Sequence, residues 1–194
     1  MAQRDTGTEQ LIKDTAKRIF FSEGKFHATT QDIADAAGVN RTLLNYYFRS
    51  RDILFEQVAL EARSETSALL GDVFVAKVGF KQKLEMLIET FMEQGMKYPY
   101  REMYVITEMH RGDKTVPLDK INRVNNFLRE ISEEMELGNI KKMDPRQFCM
   151  NLFALMAYPL LSNCLNKALF GIGDKEYFDL MRDRKKLIFE LIYQ

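Results

Sequence analysis

Apolar residues recur at intervals of three and four along most of this 194-residue chain, and no extended apolar–polar alternation interrupts them. The pattern predicts an all-α protein. A first amphipathic helix carries a stripe of Leu11, Thr15, Ile19 and Phe20 with Ala16 beside it, and stops at Ser22-Glu23-Gly24. Two short helices follow. Thr30 is placed as the cap of the first, which has Ile33, Ala34 and Ala37 as its apolar face, and Gly38 permits a tight turn. Asn40 then caps a second helix from Arg41 to Phe48. Further on, the spacing predicts helices from Arg51 to about Leu70, Phe80 to Met96, Glu102 to His110, the Pro117 region to Leu137, Arg146 to Leu169, and Lys175 to Tyr193. Breaks are expected at Tyr98-Pro99-Tyr100, at Arg111-Gly112-Asp113 and at Gly138-Asn139.

The two short helices have helix-turn-helix geometry: Ala34 and Gly38 are small where the helices cross, and Val39 and Leu44 fill the space between. Outside a buried pair, Leu44 and Phe48, the second helix leaves Arg41, Thr42, Asn45, Tyr46 and Tyr47 available. Arginine can fork onto guanine, asparagine can pair with adenine, threonine can meet a thymine methyl, and tyrosine hydroxyls can reach phosphates. Charge sharpens this. The formal net charge is zero, so nucleic acid cannot be met by the whole surface, but from Asn40 to Arg51 there are three arginines and no acid. A helical hairpin whose tyrosines only pack against neighbours is the plainer alternative.

Residues 8 to 56 tip the balance. An amphipathic first helix, then T-T-x-x-I-A-x-x-A-G-V-N, then L-x-Y-Y-F-x-S-R-x-x-L resembles the TetR family of transcriptional regulators. The resemblance implies a three-helix DNA-binding module over residues 1–50 and a larger helical regulatory and dimerisation domain over 51–194. It implies that Thr30 and Gln31 touch the DNA backbone and a base edge, that Arg41, Thr42 and Leu43 face bases, and that Tyr46 and Tyr47 meet the sugar-phosphate backbone. Arg51 stands in the place of the usual phosphate-binding lysine. Asn40 replaces a common serine, and both cap helices well. Asn45 stands where an aromatic is usual, which removes a stacking or phosphate contact and leaves the role of the residue, base readout among the options, open.

The segment NLFALMAYPLLSNCLNKALF is apolar around most of its circumference, which demands cover on two sides. The last helix offers Leu180, Leu187 and Leu191 together with Tyr177, Ile188 and Ile192. The resemblance implies a homodimer through residues 146–193. A membrane span is the competing reading, opposed by Asn151, Pro159, Asn163, Asn166 and Lys167.

Nothing points to an enzyme. His27 and His110 are isolated, Cys149 and Cys164 have no metal-ligand spacing, and Glu133, Glu134 and Glu136 lie on a polar helix face. No cofactor or metal is expected, and the polar start with no secretory core points to the cytoplasm. Methionines at helical spacing are core filler first, and can also line an adaptable apolar pocket. On that reading Met86, Phe91, Met103, Tyr104, Ile106 and His110 are candidate contacts to a small apolar or aromatic effector, with Tyr104 and His110 as its polar anchors. The expected function is a homodimeric, ligand-responsive repressor of a palindromic duplex DNA operator, and the alternative is a helical adaptor that binds another protein.

Overall fold

The structure is a computed structural model that describes residues 6–104 and 116–193. Its elements among these residues are all helical: α1 (Thr6–Lys17, prolonged by a wide π turn, Arg18–Ser22), α2 (Thr30–Ala37), α3 (Arg41–Phe48), α4 (Arg51–Val75), α5 (Phe80–Lys97), α6 (Leu118–Leu137), α7 (Pro145–Leu161), α8 (Asn163–Phe170) and α9 (Asp174–Ile192). Residues 101–104 are also helical, and the remainder of the helix expected up to His110 lies outside the described residues.

The amino-terminal core is built from the inner faces of α1, α2, α3 and the first half of α4. Ile12, Ala16, Phe20, Phe21, Ile33, Ala34, Leu44 and Phe48 meet Leu54, Val58 and Ala62. Leu11, expected in the stripe, is exposed, and Ile12 takes its place. The π turn fits more residues per turn than an α-helix, so Ile19, Phe20 and Phe21 are all buried in succession. Thr29, not Thr30, caps α2. Its hydroxyl accepts from Asp32 N–H (3.2 Å) while its own N–H donates to Asp32 Oδ2 (2.8 Å), a reciprocal capping box with Asp32 as the N3 acid. Gly38 ends α2 at φ 68°, a left-handed conformation that costs glycine nothing. Asn40 caps α3 as expected, its Oδ1 accepting from Leu43 N–H at 2.7 Å, and Ser50 caps α4 through Ile53 N–H at 3.2 Å.

The carboxy-terminal core gathers Leu84, Leu87, Ile88 and Met92 of α5, Phe127 and Ile131 of α6, Leu152, Met156 and Leu160 of α7, and Tyr177, Met181 and Ile188 of α9. Val73 and Phe74, at the far end of α4, pack into this second cluster. Two salt bridges tie α1 to α4, Lys13 to Glu61 and Lys17 to Glu65, each at 2.7 Å. Within α5, Gly95 lies where a Cβ would stand 2.2 Å from Leu160 Cδ1, so its lack of a side chain lets α7 cross closely.

The apolar segment from Arg146 to Leu169 is two helices, not the single one expected: α7 and α8 are bent by 71°. The cause is Pro159, which has no N–H for the carbonyl of Leu155 four residues back. Arg184 of α9 takes that bond instead, its Nε donating to Leu155 O at 3.0 Å. The break is finished by Tyr177, whose hydroxyl donates to Pro159 O at 2.6 Å, and by Ser162, whose hydroxyl donates to Tyr158 O at 2.6 Å. Among the described residues no single helix is long and apolar enough to cross a membrane.

Candidate nucleic-acid interface

Helix α3 divides cleanly. Leu44, Tyr47 and Phe48 are buried, while Arg41, Thr42, Asn45 and Tyr46 form its outer face. The i, i+1, i+4, i+5 spacing of those four places them on one side of the helix, free of competing acids on that helix. Gln31 is exposed on α2 and bonds Asp35 through Nε2 at 2.7 Å. Asp35 and Asp32 are the acids of α2. Asp32 is held below the ordinary carboxylate range, first by the Thr29 backbone N–H and then by the Thr29 hydroxyl.

Three residues of the expected contact set pack against the amino-terminal core, and a fourth is half-buried. Tyr47 is only 8% exposed and packs in the amino-terminal core, its ring 5.4 Å from that of Tyr46, which is 60% exposed. Leu43 is half-buried against the same core. Thr30 is half-buried as the first residue of α2. Arg51 turns inward: its guanidinium donates to the carbonyls of Phe26 and Ala28, pairs with Asp52, and lies 5.2 and 5.0 Å from the ring centres of Phe20 and Phe55. Cation–π and carbonyl contacts together fix the α2 approach loop to the start of α4. Leu43, Tyr47 and Arg51 join the core because α3 and α4 are each half-buried, and which face of a helix is covered is decided only by its packing partner.

One residue escaped sequence reasoning. Arg49 closes α3, exposed, with its N–H on Asn45 O at 2.9 Å, and is the only non-glycine residue with positive φ (57°) among those described. The signal was present in the cluster of three arginines, but the backbone conformation that projects this one was not.

The four expected effector contacts among the described residues do not gather into one site. Phe91 is buried in the carboxy-terminal core, 5.7 Å from Phe153. Met86 and Met103 are exposed. Tyr104 packs with Phe21 (5.8 Å) and Phe55 (5.0 Å) against the amino-terminal core. Ile106 and His110 lie outside the described residues. Equal apolar spacing on α5 could not tell its buried face from its solvent face. Two open grooves lie elsewhere, on either side of Tyr158 and Arg184: one of about 540 Å³ bounded by Met143, Phe148 and Leu191, the other of about 420 Å³ bounded by Phe170, Leu180 and Leu187. Among the described residues no group of three or more His, Cys, Asp or Glu is arranged to hold a metal.

A short helix pair closed by a left-handed glycine, with a polar outer helix capped by asparagine and seated on a longer helical body, is a helix-turn-helix arrangement. Residues 12–58 match the model of the bacterial regulatory proteins, tetR family, so this amino-terminal segment is similar to the domain that the model describes. No curated protein matches the chain by sequence. The fold is shared along the whole length with a TetR family transcription regulator from Marinobacter aquaeolei VT8, at 18% identity, 100% coverage of both chains and a TM-score of 0.56. It is shared likewise with the fatty acid degradation regulator FadR from Bacillus halodurans (16% identity, 96% of each chain, TM-score 0.57). The TetR family regulator PfmR from Thermus thermophilus has it too (15% identity, 93% of this chain and 97% of that one, TM-score 0.57).

Proposed function

We propose that this chain is a homodimeric, ligand-responsive repressor that reads a palindromic operator with α3 and is released by a small effector. The observation that carries the reading is the outer face of α3, where Arg41, Thr42, Asn45 and Tyr46 stand exposed together while Leu44, Tyr47 and Phe48 anchor the helix. Arg41 and Asn45 supply base-edge donors and acceptors, Thr42 a methyl and hydroxyl, and Gln31, Tyr46 and Arg49 reach the backbone on either side. Asn40 contributes by capping, which leaves its Oδ1 committed to Leu43.

Dimerisation is supported by an uncovered apolar face across α7, α8 and α9. Tyr158, Leu165, Phe170, Leu180, Leu187 and Leu191 are all exposed, and Leu191 is 62% so. Contiguous apolar surface of this kind marks an interaction site. A second copy related by a twofold axis presents two α3 helices to half-sites about 34 Å apart.

Selection of bound sites from random duplex DNA, followed by affinity measurement over a salt series, tests the function. The expected result is one palindromic consensus and a steep loss of affinity with salt. In Arg41→Ala, preference at one base position falls by about 1–3 kcal/mol. Recovery of no consensus, or equal affinity of the variant for operator and scrambled duplex at wild-type strength, overturns the proposal.

A further inference from the structure

Arg101 is 2% exposed, and among the described residues its Nη1 is the buried side-chain nitrogen that has no hydrogen-bond partner. Its other donors are thinly used: Nε and Nη2 both go to one oxygen, Glu102 Oε1, at 3.3 and 3.2 Å. A buried guanidinium left partly unpaired is costly unless something else completes it.

The surroundings say what would complete it. Three cations lie against the ring of Tyr98: Arg101 at 5.6 Å from its centre, Lys17 at 5.7 Å and Lys97 at 5.2 Å. Two carboxylates answer them, Glu102 on Arg101 and Glu65 on Lys17. Lys97 is exposed to solvent, so the unmet capacity within the buried part of this group is the hydrogen bonding of Arg101 Nη1, which suits one carboxylate. One turn beyond Arg101, Tyr104 joins the aromatic group of Phe21 and Phe55, which sets an apolar wall next to the charged group.

We propose that Arg101 Nη1 anchors the carboxylate of an otherwise apolar, singly charged ligand at the junction of the two cores. The proposal rests on the ligand-responsive reading above and gives it a chemical class. The site is tied to the DNA-binding module by short links: Tyr100 N–H donates to Phe21 O at 3.1 Å, Ser22 Oγ donates to Lys97 O at 2.8 Å, and Lys17 is the last residue of α1. A ligand that pulls Arg101 away from Glu102 therefore displaces the segment to which the end of α1 is bonded. Helix α1 in turn packs against α2, and α2 against α3, which is the route by which the bound carboxylate loosens the reading helix.

The test measures thermal shift and calorimetric affinity for decanoate, 4-phenylbutyrate, their matched primary alcohols and decyl phosphate. The proteins are the wild type, Arg101→Met and Glu102→Gln. In the wild type each carboxylate binds at least tenfold more tightly than its alcohol. Arg101→Met, which replaces an incompletely paired charge with an apolar chain of similar length, melts no lower than the wild type and binds acid and alcohol alike. Glu102→Gln raises the local charge by one, so carboxylates tighten severalfold and decyl phosphate gains more. Equal binding of acids and alcohols by the wild type overturns the proposal, as does an acid preference that survives in Arg101→Met. Should Arg101→Met fail to fold, an acid-to-alcohol ratio unchanged in Glu102→Gln overturns it. Operator release is scored separately: a carboxylate that binds through Arg101 but leaves operator affinity unaltered retires the effector reading and leaves the site standing.

Discussion

Replacing Arg49 with glycine should move stability and DNA affinity in opposite directions. Arg49 sits at φ 57°, ψ −42°, a region that side chains enter only under strain. Such a residue costs of order 1–3 kcal/mol. Glycine relieves that cost but returns about 0.5–1 kcal/mol as extra freedom of the unfolded chain. The net gain is about 0.5–2 kcal/mol, or roughly 1–8 °C in melting temperature for a chain of this size. Arg49→Ala is the control, since it removes the same guanidinium and keeps the strained Cβ. Both variants lose one exposed cation beside α3, so the slope of log affinity against log salt falls by about one in each. Thermal melts and salt titrations on the selected operator read the two effects independently. If the alanine and glycine variants melt together, the backbone at residue 49 carries no strain; if their salt slopes equal the wild type's, Arg49 does not meet a phosphate.

Charges placed on the uncovered face, Leu187→Glu with Leu191→Glu, should convert a dimer to a folded monomer by sedimentation, because both side chains are exposed in the isolated chain. Gly95→Ala should lower stability by about 1–3 kcal/mol, less the ~1 kcal/mol that alanine gains in a helix, and Leu160→Ala should lose less in that background than alone, read by denaturant melts. Cys149, whose thiol burial pushes up to about 11, should resist alkylation at pH 8 while exposed Cys164 reacts, as peptide mapping would reveal. Asp144 caps α7 and is drawn from its ordinary 3.8 to about 2 by the Arg146 side chain and then its backbone N–H. A depressed carboxyl stabilises the fold above its unfolded value, so the melting deficit of Asp144→Ala should be full at neutral pH and vanish as pH falls from about 4 to about 2.

The all-helical fold and most helix limits were legible because capping residues and breaks are local. Asn40, Gly38, Pro117 and Gly138 act within a few residues of themselves, and the structure places helix ends at each. Thr29 and Thr30 are adjacent hydroxyls, and only the Asp32 pairing chooses between them. The outer face of α3 was legible to the extent that polar residues are outside, and Arg41, Thr42, Asn45 and Tyr46 are exposed there. It was not legible for amphipathic side chains: Tyr47 and Arg51 are both as fit for the core as for phosphate, and long-range neighbours decided. Pro159 was legible as a helix breaker, but the donor that meets the freed carbonyl of Leu155 is Arg184, 29 positions away. The scattering of Met86, Phe91, Met103 and Tyr104 has the same origin, since apolar spacing gives a helix its stripe but not its neighbour.

Helix α4 belongs to both cores, Leu54 and Val58 at one end and Val73 and Phe74 at the other. This sets where the protein can be cut and grafted. A fragment ending at residue 50 would strip the amino-terminal core of one wall, whereas one ending after Glu65 keeps that wall and both lysine bridges from α1. A chimera that exchanges the amino-terminal module therefore has its tolerant junction inside a continuous helix, with the crossover past Glu65 and short of Leu70.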